Sequence, residues 1–264
     1  MSQLPTTAEI FAIGDELCYG RVYDTNSFWL ADQLTRRGVL VQRITCLRDN
    51  KKGICDALRD SLHRSPAFLF ITGGLGPTED DLTLSALAEL SGKAVVTSEL
   101  VLKIMSERRK VLVATFNPGQ MKMASTLEGA ECLPNPVGWA PVTILKLSEC
   151  SVISMPGPPR EVQACFNEHL AKRIEDATGF RSYGRRVRVT MFESELAPLV
   201  AEVTKAVEGV YLKPLVGESS REQGLPVEVL AFDRSEEGCN QKCDSAIAKL
   251  KELVSQRGRE LLET

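Results

Sequence analysis

The 264-residue chain has only two histidines, His63 and His169, and none of its eight cysteines forms a C-x-x-C pair. Both histidines fall inside helical patterns, leaving little material for a His-based zinc site or a Ser-His-Asp triad. The cysteines lie among apolar neighbours. Cys239 and Cys243 stand one helical turn apart in line with Ile247, which favours reduced thiols packed in a core over metal binding. No apolar run approaches a membrane span, and residues 1–7 lack the basic start and long apolar core of a signal peptide, so a cytoplasmic chain with no membrane partner is expected. With 32 basic against 35 acidic side chains, the net charge of -3 supplies no field to draw the chain onto nucleic acid. There is no internal repeat and no low-complexity tract. The remaining composition, 43% hydrophobic and 25% charged, is that of a folded protein large enough for one big core or two domains.

What the chain does have is concentrated in residues 67–83. The run Ala67-Phe68-Leu69-Phe70-Ile71 is short, unbroken and apolar, as in a central strand covered on both faces. It breaks at Thr72 into Gly73, Gly74 and Gly76, then meets Thr78, Glu79, Asp80 and Asp81. Glycines there let a ligand approach the main chain without meeting a Cβ. A helical pattern with Leu84, Leu87 and Ala88 on one side follows, so the loop would present amides to an anion at a helix N-terminus. The three acids would hold a hard divalent cation beside it. Thr78 and Asp81 also have the spacing of a capping box, a role compatible with ligand binding. Neither common nucleotide fingerprint is present: no Lys-Ser/Thr follows the glycines, and there is no Gly-x-Gly-x-x-Gly.

The same logic of strand, glycine and acids occurs earlier, where residues 9–13 run into Gly14-Asp15-Glu16-Leu17. Asp24, Thr25, Asn26 and Ser27 offer N-caps for a helix bearing Leu30, Ala31 and Leu34; Asn26 is either that cap or a ligand contact. A strand over 39–46, a helix opened by Asp49-Asn50, and the 67–71 strand complete a βαβαβα pattern, the mark of a parallel sheet with crossover helices. Ligands gather at the carboxyl ends of such strands, so both glycine-acid turns belong on one edge. Further on, a helix starts at Ser98-Glu99, and residues 131–141 read as a proline- and glycine-rich loop in which Trp139 either stacks on a flat ligand or plugs the core, the second being favoured. Strands 142–147 and 150–154 pair as a hairpin. A second strand-to-helix corner follows at Met155-Pro156-Gly157-Pro158-Pro159-Arg160-Glu161, where Arg160 is placed to meet either a phosphate or a neighbouring acid. The pattern resets near residues 178–182. A small α+β module follows, with strand 186–192, helix 194–207, strands 210–215 and 227–232 around a polar loop at 217–224, and helix 235–254.

These motifs carry a resemblance. Gly14-Asp15-Glu16-Leu17 with Asp24-Thr25-Asn26, the stretch from Thr72 through Thr83, Asn135-Pro136-Val137-Gly138, and the corner at 156–161 occur in the order found in CinA (competence/damage-inducible) proteins. Residues from about 8 to 170 closely resemble the N-terminal domain of that family, part of the MoaB/Mog molybdopterin-binding superfamily. The resemblance implies an α/β, MoaB/Mog-like three-layer fold with a mainly parallel sheet flanked by helices over residues 1–178, followed by a small α+β accessory domain over 179–264. It also implies a homo-oligomer. Trp139 and Val142 depart from the threonine and glycine usual in the family. No stretch is left for the nicotinamide-mononucleotide deamidase domain of longer relatives, so amidase activity is not expected.

CinA-type domains are similar to ADP-ribose pyrophosphatases that need a divalent metal (Mg²⁺, Co²⁺ or Mn²⁺) and respond to K⁺. Mog-type relatives adenylylate molybdopterin, with an aspartate at the position matched by Asp81, and others only bind pterin. The first expectation is therefore metal-dependent cleavage of ADP-ribose to AMP and ribose 5-phosphate, the second molybdopterin binding or adenylylation, the third a non-catalytic nucleotide- or pterin-binding module. Asp81 and Asp80 are the candidate catalytic residues. Asp81, Asp80, Asp15 and Glu16 are the candidate metal ligands. The candidate contacts to the ligand are Gly14, Asp15, Glu16 and Asn26 from the first turn, Thr72, Gly73, Gly74, Gly76 and Thr78 from the second, and Pro156, Gly157, Pro158 and Arg160 from the corner.

Overall fold

A computed structural model describes residues 6–219 and 224–263 of the chain. The fold divides into two compact units, one of residues 1–34 and 39–176, the other of residues 35–38 and 177–264.

The first unit is built on a six-stranded sheet of β1 (Thr6–Ile13), β2 (Val39–Leu47), β3 (Phe68–Thr72), β6 (Glu131–Leu133), β7 (Val142–Leu147) and β8 (Cys150–Met155), in the order β2-β1-β3-β8-β7-β6. The first four in that order are mutually parallel, and β7 and β6 are antiparallel additions. Strand period 2 sorts the core into two layers. Ala8, Ile10 and Phe70 face α2 (Thr25–Arg36), α7 (Pro159–Cys165) and the π-helical turn Phe166–Leu170, whose Leu30, Leu34, Val162 and Phe166 are buried there. Phe11, Ile13, Leu69 and Ile71 face α3 (Lys51–His63) and α4 (Thr83–Ser91), with Ile54, Leu58, Ala86 and Leu87. Each fully buried side chain of this kind stabilises by roughly 1.5–3 kcal/mol. The two apolar layers therefore dominate stability and leave the strand ends free to carry strained turns. The three-layer fold with a mainly parallel sheet is as the sequence implied.

A smaller cluster joins α5 (Glu99–Arg109), started by Ser98, with Phe116 and Trp139. Trp139 stacks edge-on against Phe116 and lies under the Arg109 guanidinium, so it does plug a core. Val142 is fully buried in β7. The 131–141 segment is not all loop: Glu131–Leu133 pairs with β7 as an edge strand too short to show a period.

The second unit packs α9 (Glu193–Ala206) and α10 (Glu236–Gln256) on a four-stranded antiparallel sheet, ordered β10 (Val210–Pro214), β11 (Leu225–Asp233), β9 (Arg181–Val189), β12 (Leu261–Glu263). Here β9 begins five residues earlier than expected and ends before Thr190. Its start is exposed and rich in arginine, so only Val187 and Val189 gave an apolar signal, while the Phe192 amide donates to the Glu195 carboxylate at 3.3 Å at the start of α9. The strand β12 was not anticipated. Residues 220–223 of the polar 217–224 loop, and residues 1–5, lie outside the described residues. Among the described residues all eight cysteines are free, five of them buried, and no helix is long and apolar enough to cross a membrane.

Candidate functional site

Register builds the site. Ala12 pairs with Thr72 and Thr72 with Met155, so β1, β3 and β8 end on one row, and Ile13 pairs with Leu47 at the end of β2. The ladder runs one residue past the strands: the Gly14 amide donates to the Leu47 carbonyl at 3.0 Å and the Gly73 amide to the Met155 carbonyl at 3.2 Å. Four turns are thereby held side by side. They enclose a cavity of about 470 Å³ lined by both glycine-acid turns, the start of α2 and the Gly157 corner. The two turns that the sequence placed on one edge do converge.

The 73–76 turn is shaped by close approaches that only glycine allows. Gly73 has φ +91° and a Cβ there would lie 2.2 Å from the Ile13 carbonyl oxygen; at Gly74, with φ +66°, it would lie 2.3 Å from the Thr83 hydroxyl. The helix that follows begins where the apolar pattern from Thr83 put it, and not at Thr78 as a capping box would have it. Its first residue is Thr83, whose hydroxyl donates to the Gly73 carbonyl at 2.8 Å and whose amide donates to the Gly74 carbonyl at 3.1 Å. The loop thus caps α4 itself, and neither the Gly73 nor the Thr83 amide is left for an anion. Among the described residues no protein acceptor meets the amides of Gly74, Leu75 and Gly76, which belong to the cavity lining. The unpartnered amides of the loop are thus these three rather than those at the helix end.

Asp81 is a turn residue, not a helix cap: its carboxylate accepts from the Thr78 amide at 2.8 Å and the Thr78 hydroxyl at 2.6 Å. Thr78 and the Lys122 ammonium also hold the Asp80 carboxyl below its ordinary value, and Lys122 donates to the Thr78 carbonyl. The cavity is lined by Gly14, Glu16, Asn26, Thr72, Gly73, Gly74, Gly76, Thr78, Asp80, Asp81, Gly157 and Pro158 of the expected set. Asn26 resolves as a bridge: Asp24 takes the amide of Ser27 at 2.9 Å and so serves the helix start, while the Asn26 amide donates to the Gly157 carbonyl at 2.7 Å.

Four expected residues stand elsewhere. Glu79, expected beside the cation, is exposed and outside the lining. Asp15 is occupied by Arg48, at 2.9 and 3.0 Å, and by the Tyr19 hydroxyl at 3.1 Å. Those bonds, that of Arg48 foremost, hold its carboxyl down to about 2, and it does not line the cavity. Arg160 is exposed and outside the lining, because the first turn of α7 carries it away from the corner; its neighbour Glu161 bonds to Asn135 at 2.6 Å. Pro156 is buried behind Gly157.

Asp49 was missed. It lies at the end of β2, accepts from the Asp15 amide at 2.8 Å, is half-buried and lines the cavity. Burial, and then the charges of Asp15, Glu16 and Asp80, push its carboxyl up. Read along the chain, Asp49-Asn50 is a helix start, and Asn50 does cap α3. The available signal was that β2 is parallel to β1, so an acid just past its end must join the same edge. Glu16, Asp24, Asp49, Asp80 and Asp81 therefore face one cavity that no lysine or arginine lines among the described residues. No group of three or more His, Cys, Asp or Glu among them is already close enough to chelate an ion.

Residues 9–176 match the family described as a probable molybdopterin binding domain. A protein of Pyrobaculum calidifontis is 33% identical over 261 residues, 95% of this chain and 97% of its own length. A CinA-like protein of Anaeromyxobacter sp. is 36% identical over 176 residues; that stretch is 67% of this chain and 43% of the relative. Among solved structures, CinA from Thermoplasma acidophilum aligns with a TM-score of 0.59 at 30% identity, covering 64% of this chain and 98% of that one. The chain belongs to the probable molybdopterin binding domain family, as a CinA-type member.

Proposed function

We propose that the cavity binds a phosphorylated pterin of the molybdopterin class, its phosphate on the Gly74–Gly76 amides and a divalent cation between that phosphate and the carboxylates. The family match supports the pterin. The observation that carries the cation is the lining itself, five carboxylates with no lysine or arginine among the described residues. The carboxylates lining the cavity repel an incoming phosphate, and Lys122 close by is already engaged by Asp80 and the Thr78 carbonyl, so a further positive charge is needed beside the phosphate. Mg²⁺ fits this arrangement, since it keeps several waters and takes one or two carboxylates plus phosphate oxygens rather than a ready-made protein cage. Asp80, Asp81, Asp49 and Glu16 would hold it. When bound, it would supply charge neutralisation at phosphoryl oxygens.

The same chemistry supports a second reading, cleavage or transfer at a phosphoanhydride, with ADP-ribose hydrolysis and adenylylation of molybdopterin as the two candidate reactions. Asp81 favours it. Its carboxylate is oriented by two bonds from Thr78 beside the phosphate donors, which positions it to align a water or a ligand oxygen. Titration calorimetry with molybdopterin, ADP-ribose and ATP, each with Mg²⁺ and with chelator, separates the readings when combined with chromatography for AMP and adenylylated pterin. Pterin binding that needs Mg²⁺ and survives without turnover supports the first. Tight binding of every ligand in chelator would overturn the cation argument.

A further inference from the structure

The cavity that would take the phosphate offers one aromatic ring among the described residues, Tyr23, and that ring is 92% exposed. It does not serve the core. Its backbone carbonyl accepts from the Thr25 amide at 2.9 Å, so the main chain just before α2 is held in a turn, and Tyr23 belongs to the cavity lining. Beside it Val22, also in the lining, is 54% exposed. The rest of the lining is backbone, carboxylates, hydroxyls and aliphatic side chains such as Leu17 and Leu75, none of which offers a second aromatic face to a flat heterocycle. A ligand that joins a phosphate to a fused planar ring needs both surfaces, and stacking on an aromatic side chain is the sequence-tolerant way to hold such a ring.

We propose that Tyr23 is the platform on which the heterocycle of the ligand, pterin or purine, stacks while its phosphate sits on the Gly74–Gly76 loop. This rests on the phosphate-site reading above and adds the ring subsite to it. Selectivity for ring-bearing phosphates over bare ones then comes from Tyr23, and the hydroxyl contributes nothing essential.

The test uses the full chain with Mg²⁺ and two probes that share a diphosphate, ADP and inorganic pyrophosphate, measured by calorimetry on the natural protein, Tyr23→Ala and Tyr23→Phe. Tyr23→Ala is expected to weaken ADP about five- to hundredfold and to leave pyrophosphate unchanged, with Tyr23→Phe close to the natural protein. The ring is exposed, so both variants are expected to fold as the natural protein does, and circular dichroism checks it. Equal weakening of both probes, or none, overturns the platform while the phosphate site stands. Failure of the natural protein to bind either probe overturns both. A change in sedimentation coefficient in Tyr23→Ala without a change in ADP affinity would assign the ring to a contact with a second copy of the chain, and the proposal would fall.

Discussion

Asp81 reaches back three residues to take both the amide and the hydroxyl of Thr78, and it passes over Gly76 to do so. A Cβ at Gly76 would lie 2.6 Å from the Asp81 carboxylate. Gly76 has an ordinary φ, so alanine there carries no backbone strain, and Asp81, half-buried at the cavity, has to swing out. Gly76→Ala is therefore expected to unfold within ~1 kcal/mol of the natural protein while losing tenfold or more in Mg²⁺-dependent ligand affinity, read by denaturation and calorimetry. Unchanged affinity would remove Asp81's present orientation from the site.

Gly73→Ala is the contrasting case. A side chain at φ +91° costs roughly 1–3 kcal/mol, and the obstacle at 2.2 Å is the Ile13 main-chain oxygen, which cannot rotate away without breaking the β1 end. Gly20→Ala serves as control, since Gly20 also has positive φ (+67°) but nothing within 4 Å of an added Cβ. Chemical denaturation is expected to show Gly73→Ala well below Gly20→Ala. Equal stability would mean that the β1 and β3 ends separate easily.

The two acids at the β1 and β2 ends should titrate in opposite directions. Asp15 is lowered to about 2 by Arg48, so the bridge is fully present above the unfolded value near ~3.9 and is lost as the pH falls through about 2. Asp49 is raised by burial and by neighbouring acids, so its protonated form favours the fold at low pH and that advantage disappears as the pH rises through its folded value. Cation binding through Asp49 is expected to strengthen over the same rise. Carboxyl NMR titration carried down to about pH 1 reads both acids, and Mn²⁺ affinity from about pH 4 to 8 follows Asp49. In Arg48→Ala the Asp15 titration should move up; an unmoved Asp15 would break the assignment.

Much of this edge was legible because glycine and acid spacing survive in a linear string. The strand-glycine-acid pattern at 13–16 and 71–81 located two turns, and parallel pairing brought them together. What was not legible depends on partners distant in sequence. Asp15 looked as available as Glu16 until Arg48, 33 residues on, took it. Asn26 looked like a cap until Asp24 took that role and left its amide for Gly157, 131 residues away. The Gly73 amide was expected to be free, yet it extends the ladder to Met155. Likewise β6 and β12 are three-residue edge strands, too short for periodicity to register.

Glu9 tests how far the sheet and the site are separable. It is fully buried in β1, on the α3 side, and holds the Arg64 guanidinium by two bonds of 2.7 Å. Burial alone would raise the carboxyl, but Arg64 brings it below its ordinary value. The pair therefore stabilises the fold above the unfolded value near ~4.3, and that contribution is lost as the pH falls through the lower folded value. Arg64→Ala leaves a carboxylate in the core without its counter-charge, expected to cost about 3–5 kcal/mol at pH 7. Glu9 would then take up a proton more readily, so the deficit should shrink when urea unfolding is repeated near pH 5. The double change Glu9→Leu with Arg64→Met should recover most of the loss, because an apolar pair in that layer has no charge to compensate. Arg64 lies at the amino end of β3, away from the cavity-lining turns, so ligand affinity should hold in every variant that folds. A loss of affinity at unchanged stability would mean that strain at one end of β1 is transmitted to Gly14 at the other.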